Sequence, residues 1–142
     1  MILYQLSMRT REIVNFWTKE SNEDFAAAKS LFNSGYYSRS LFFAHLSLEK
    51  LLKAIFVKNQ ETHSPFSHDL LFLSQKSKIV LDQKQKQELD EISTFNVRAR
   101  YDNIKRQFHK RANKVYTVKW LKIINFYRLW LKNNYLKLYK KK

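Results

Sequence analysis

An all-α fold follows from three features of this 142-residue chain. Glycine and proline occur once each, as Gly35 and Pro65, too few for the many turns of a sandwich or barrel but compatible with long helices and short loops. Apolar residues recur at helical spacing along most of the chain. A hydrophobic content of 44% with 15% aromatics can fill one core, so a single domain over residues 1–142 is expected despite the charge. The predicted architecture is an up-and-down bundle of four long helices plus one short helix.

The first helix is predicted over residues 10–34, where Ile13, Phe16, Trp17, Ala27, Ala28, Leu31 and Phe32 recur at helical spacing. Gly35 stands where a left-handed cap would stop it. A second helix is predicted over 37–58, with Leu41, Phe42, His45, Leu48, Leu52, Ile55 and Phe56 as a wide inward stripe. With so short a connection, the two should form an antiparallel hairpin. Residues 59–67 contain Pro65 and read as the main loop, and a short third helix over 68–75 opens at His68-Asp69. A fourth helix is predicted over 82–98, N-capped by Asp82 and seamed by Leu89, Ile92 and Phe95 or Asn96. Residues 98–110 are polar and without clear periodicity. The last helix is predicted over 111–138, with Val115, Val118, Leu121, Ile124 or Asn125, Leu129 and Leu136 on its face and Trp120, Phe126, Tyr127 and Trp130 widening it.

The charge is lopsided. Residues 98–142 hold fifteen Lys and Arg against the single acid Asp102, whereas the first 97 residues carry twelve bases and eleven acids. Like charges crowded into one third of a domain repel each other, so folding does not require them; a polyanionic partner does. Nucleic acid is the first candidate, because neutralising phosphates releases counterions. Cysteine is absent, which excludes disulfides and thiolate metal sites and fits a reducing cytoplasm, the expected location. No run approaches the roughly 18 to 20 apolar residues that span a bilayer, so no membrane association is expected. The apolar start, Met1 to Leu6, soon meets Arg9 and Arg11 without a small-residue cleavage site and does not read as a signal peptide.

The four histidines are the candidates for acid–base chemistry near neutral pH. His63 and His68 flank Pro65, but no cysteine or carboxylate set completes a zinc site, so neither metal nor cofactor is expected. The residues around His68-Asp69 are expected to end the loop and cap the third helix. His45 sits in the apolar stripe of the second helix and needs a polar partner. Glu49 is one turn later, and Glu20 and Asp24 of the first helix are expected within reach across the hairpin. In the basic third, Arg98, Arg100, Tyr101, Lys105 and Arg106, with Phe108 and His109 interleaved, suit phosphates and bases through charge and stacking. Aromatics of the last helix exceed what one buried stripe requires, and the surplus suits a homodimer or a second protein. Residues 138–142 are expected to form a basic, solvated tail.

Three segments together resemble one family. Residues 36–54, from Tyr36-Tyr37-Ser38-Arg39 through His45 to Leu48-Glu49-Lys50-Leu51-Leu52-Lys53-Ala54, are similar to the second helix of HEPN domains. His68-Asp69-Leu70 and Phe95-Asn96-Val97-Arg98-Ala99-Arg100-Tyr101 resemble the short third helix and the fourth-helix exit of that group. The resemblance spans nearly the whole chain. It implies a helical bundle, commonly a homodimer, associated with RNA or nucleotide and often one half of a toxin–antitoxin pair with a small nucleotidyltransferase. Active members are metal-independent ribonucleases using an arginine, four to six intervening residues and then a histidine: the histidine moves the ribose 2′-OH proton while the arginine holds the phosphate. Here eight residues separate Arg100 from His109, and the one spacing match is Arg39 with His45. On a regular helix those two lie some 120° apart, at about 100° per residue.

Three readings follow. The first is a HEPN-like binder of RNA or nucleotide, acting through Arg98, Arg100, Tyr101, Lys105 and Arg106 beside a nucleotidyltransferase. The second is an active ribonuclease toxin with His45 or His109 as acid–base and Arg39 or Arg100 as phosphate clamp. The third is a non-catalytic protein-interaction module.

Overall fold

The computed structural model describes residues 7–98 and 102–136, and the side chains of all of these except 97, 98 and 102–104. Among the described residues the chain forms six α-helices and no strand: α1 (Met8–Asn33), α2 (Tyr37–Gln60), α3 (Leu70–Lys76), α4 (Gln83–Arg98), α5 (Asp102–Arg111) and α6 (Lys114–Leu131). A π-helical turn, Lys132–Leu136, extends α6.

Local chemistry sets the boundaries. Ser7 caps α1 by accepting from the Thr10 amide at 3.0 Å. At the other end Gly35 adopts φ 82°, its amide donating to Phe32 O at 3.0 Å and the Tyr36 amide to Leu31 O at 2.9 Å. This paired closure satisfies the carbonyls of the last turn and reverses the chain into α2. Asp69 caps α3 by accepting from Leu71 and Phe72, and the Leu70 amide donates to Ser93 Oγ of α4 at 2.9 Å. Asp82 and Gln85 exchange side-chain-to-amide hydrogen bonds of 2.8 and 2.9 Å, a capping box that starts α4. Asn113 caps α6 through the Tyr116 amide.

The second helix is the axis of the fold. Fourteen of its 24 residues are buried, and α1, α3, α4, α5 and α6 all pack on it. α1 lies antiparallel to it, as expected. Serine replaces bulk along that seam: Ser21 Oγ donates to Ser47 O at 2.6 Å and Ser40 Oγ to Ala28 O at 2.7 Å, with Ala28 and Ala44 fully buried beside them. α6 covers the core with Thr117, Trp120, Ile124, Tyr127 and Leu131, and Phe95 of α4 meets Trp120 edge-on at 5.8 Å. The Tyr127 hydroxyl donates to Glu88, and burial together with that carboxylate pushes its pKa well up.

Three expectations need correction. The polar stretch after Arg98 is not irregular: α5 occupies it, held by Phe108, which stacks on Phe95 at 5.5 Å, and by buried Ala112. So short a helix with so little apolar surface leaves no periodicity to read. On α6 the inward face is rotated from the expected one. Val115 is 80% exposed, with Phe126 and Leu129 also exposed, because the helix is apolar nearly all round and the seam uses Thr117 and Arg128 instead. On α1, Phe16 is exposed and the seam runs through Thr10, Val14, Ser21, Phe25 and Ala28.

Gly35→Ala should cost about 1 kcal/mol in urea unfolding, since the left-handed backbone disfavours any Cβ. No heavy atom lies within 4 Å of the added carbon, so the loss should be conformational and a Gly35→Asn variant should recover part of it.

Candidate functional site

Residues 45, 49 and 53 of α2 are four apart, so one helix face carries His45, Glu49 and Lys53 into the interior. His45 is 0% exposed. Its Nε2 lies 3.0 Å from the His68 carbonyl oxygen, which can only accept, so this nitrogen carries the proton. Glu49 accepts from Lys53 Nζ at 3.0 Å through Oε2 and from His68 Nδ1 at 2.9 Å through Oε1. Its Oε1 is also 3.9 Å from His45 Nε2. His68 is thus gripped by both backbone and side chain, and the segment 61–69 is latched onto α2. A buried carboxylate needs such partners, since taking it from water without them costs several kcal/mol.

Glu20 and Asp24, expected near His45, instead clamp Lys50 at 3.2 and 2.7 Å. Lys50 is one residue past Glu49 and therefore points toward α1. Burial opposes its charge, but the hydrogen bonds and charge of Asp24, then those of Glu20, outweigh it and raise its pKa above the ordinary lysine value of 10.5.

Arg39 is exposed, with its guanidinium 5.8 Å from the Tyr36 ring centroid. It does not share a face with buried His45. His109, on α5, is exposed and its Nδ1 lies 3.3 Å from Ser38 Oγ. The fold therefore brings His109 to the first turn of α2, beside the residue that precedes Arg39, a proximity hidden from the sequence by a separation of 71 positions. Lys105, Arg106, Lys110 and Arg111 are exposed on the same short helix, and none forms an ion pair with a described carboxylate. Buried Phe108 and Ala112 anchor α5; at about 100° per residue Arg106 and Lys110 lie on the side away from Phe108, while Lys105 and Arg111 flank it. Arg100 and Tyr101, and the Arg98 side chain, lie outside the described residues, as does the tail 138–142.

A cleft of about 440 Å³ opens elsewhere, between α1, the C-terminal half of α2 and the loop 62–66. Ile13, Trp17, Lys53, His63, Pro65 and Phe66 are among its walls. No sequence pattern marks it, because its parts come from three separate segments. Among the described residues no group of three or more His, Asp or Glu could hold a metal ion, and no helix is long and apolar enough to cross a membrane.

Removing the Glu49 carboxylate strands a buried ammonium, so Glu49→Ala should lose about 3 kcal/mol in urea unfolding. The same substitution should speed amide exchange over residues 61–69. The Lys50 clamp gives a pH signature: its folded-state pKa is raised, so its contribution is complete below about pH 10.5 and falls away as pH rises through the higher folded value. Lys50→Met should flatten the alkaline limb of the stability profile.

No curated protein and no solved structure matches the chain. The HEPN domain profile matches residues 14–126, a span that runs from the first turns of α1 through most of α6 and takes in the polar row of α2 and all of α5. With its all-helical architecture built around the second helix, the chain belongs to the HEPN domain family.

Proposed function

We propose that this HEPN domain binds RNA or a nucleotide through the basic face of α5, as one component of a toxin–antitoxin-like pair with a small nucleotidyltransferase. The observation that carries this reading is the set Lys105, Arg106, Lys110 and Arg111, exposed on one anchored helix with no described carboxylate to neutralise it. Such a surface favours phosphate, and two arginines supply forked donors that match phosphate oxygens. Arg98, Arg100 and Tyr101 adjoin α5 in sequence and extend the same basic stretch. Family membership supports a nucleotide- or RNA-related role. Exposed Val115, Phe126 and Leu129 on α6 support a protein contact, with a second copy of the chain or with the nucleotidyltransferase as occupant.

The contact between His109 and Ser38 favours a second reading, metal-independent RNA cleavage. An exposed histidine beside the turn that carries Arg39 pairs a proton-transfer group with a phosphate clamp, without the arginine-to-histidine spacing on one helix. In that reading His109, not His45, moves the 2′-OH proton, because His45 is enclosed and its Nε2 proton is committed to the His68 carbonyl.

Binding to a single-stranded RNA oligonucleotide should weaken steeply with salt, and Lys105→Ala with Arg106→Ala should lower affinity about tenfold and reduce the log–log salt slope by about 1. An unchanged slope would remove α5 from the interface. In chelator, RNA cleavage abolished by His109→Ala and kept by His45→Asn would establish the enzymatic reading; retardation of uncut RNA leaves the protein a binder.

A further inference from the structure

The cleft beside Trp17 is remote from α5. Lys53 enters its wall about 20 Å along α2 from the Ser38 contact with His109, at 1.5 Å per residue. Its walls are mostly apolar and aromatic, with Phe16 and Trp17 on one side and Pro65 and Phe66 on the other. Phe66 is 104% exposed, an aromatic ring at the mouth with no cover of its own. The size, about 440 Å³, falls in the range of small-molecule sites.

A buried lysine makes this more than an apolar groove. Lys53 is only 7% exposed, yet it lines the cleft. Its ammonium has three protons, donates one to Glu49 at 3.0 Å, and sits 5.4 Å from the Trp17 ring centroid. No other described acceptor takes a hydrogen bond from it. Spare donor capacity therefore stands at a cleft lined otherwise by Ile13, Phe16, Trp17, Val57, Pro65 and Phe66, with the polar Thr62, His63 and Ser64 along the loop. Glu49 already balances the ammonium charge, so the missing partner is an acceptor atom and not a second full anion.

We infer that this cleft is a binding site for a small, uncharged, planar aromatic molecule bearing a carbonyl acceptor. The ring stacks against Trp17 and is covered by Phe66, while the carbonyl oxygen accepts from Lys53 Nζ. Aromatic stacking sets affinity and Lys53 sets orientation. The latch of His68 on Glu49 fixes the far end of the loop that carries Pro65 and Phe66, so the cleft is formed before a ligand arrives.

The test is titration of the full chain with 4-quinolone, which has a ring carbonyl, and with naphthalene, which has the same two-ring outline and no acceptor, followed by NMR of the Trp17 indole and the amides of 62–66. The expected result is saturable shifts at these positions, with 4-quinolone about tenfold tighter than naphthalene. Phe66→Ala, on a fully exposed side chain, should keep the melting temperature and weaken both ligands. Glu49→Gln combined with Lys53→Met removes both charges together and should bring 4-quinolone down to the affinity of naphthalene. Excess RNA oligonucleotide should not displace the ligand. Absence of shifts at millimolar ligand, equal affinity for the two compounds, or shifts confined to α5 would overturn the assignment.

Discussion

A helix that is apolar on most of its circumference has to be covered on every side, and α2 imposes that condition on the rest of the molecule. Leu41, Leu48, Leu51, Leu52 and Ile55 leave almost no surface to solvent, and their directions around the axis differ by too much for one neighbouring helix to cover. α1 takes one flank, α6 another, and α3 and α4 close the remainder. The other helices can then be weakly patterned, since their positions are dictated by what α2 needs buried. This explains why α5, with little apolar surface, is still held: Phe108 completes an aromatic cluster with Phe95, and Phe95 in turn meets Tyr116 and Trp120.

The same central position makes polar groups on α2 consequential. Glu49 is 4% exposed and joins the helix to a lysine one turn later and to a histidine nineteen residues on. A hydrophobic side chain there would pack as well but would leave the 61–69 segment without its anchor. The carboxylate thus gives the loop a defined place at the cost of burying charge, a trade that holds only because every oxygen finds a donor. By contrast, Lys105, Arg106, Lys110 and Arg111 of α5 are exposed with no described carboxylate beside them.

Much of the architecture was legible in the chain. Gly35 marked the reversal between α1 and α2, Asp69 and Asp82 marked helix starts, and the α2 stripe placed Leu41, His45, Leu48, Leu52 and Ile55 inward, where they are buried. Legibility failed where pattern was weak or saturated. α5 was too polar to show a period, and α6 too apolar for a period to select one face, so Val115 and Leu129 were placed inward when Thr117 and Arg128 occupy the seam. The candidate site divided the same way. Basic residues were readable as a charge run, but the approach of His109 to Ser38, the grip of Glu49 on His68 and the clamp of Glu20 and Asp24 on Lys50 depend on how helices cross. One-turn spacing of His45, Glu49 and Lys53 was the available clue to the polar row, and it names the face without naming what lies opposite.

The serine pair in the first hairpin bears on the order of assembly. Ser40 and Ser21 reach carbonyls 12 and 26 positions away in sequence, so the two longest helices lock in register through closures far shorter than those that seat α6. Short closures forfeit little chain entropy, and this hairpin is therefore the natural nucleus from which the rest condenses. A chain emerging from the ribosome would already hold that nucleus before its strongly cationic last third is synthesised, so self-repulsion there never has to be overcome by an unformed core.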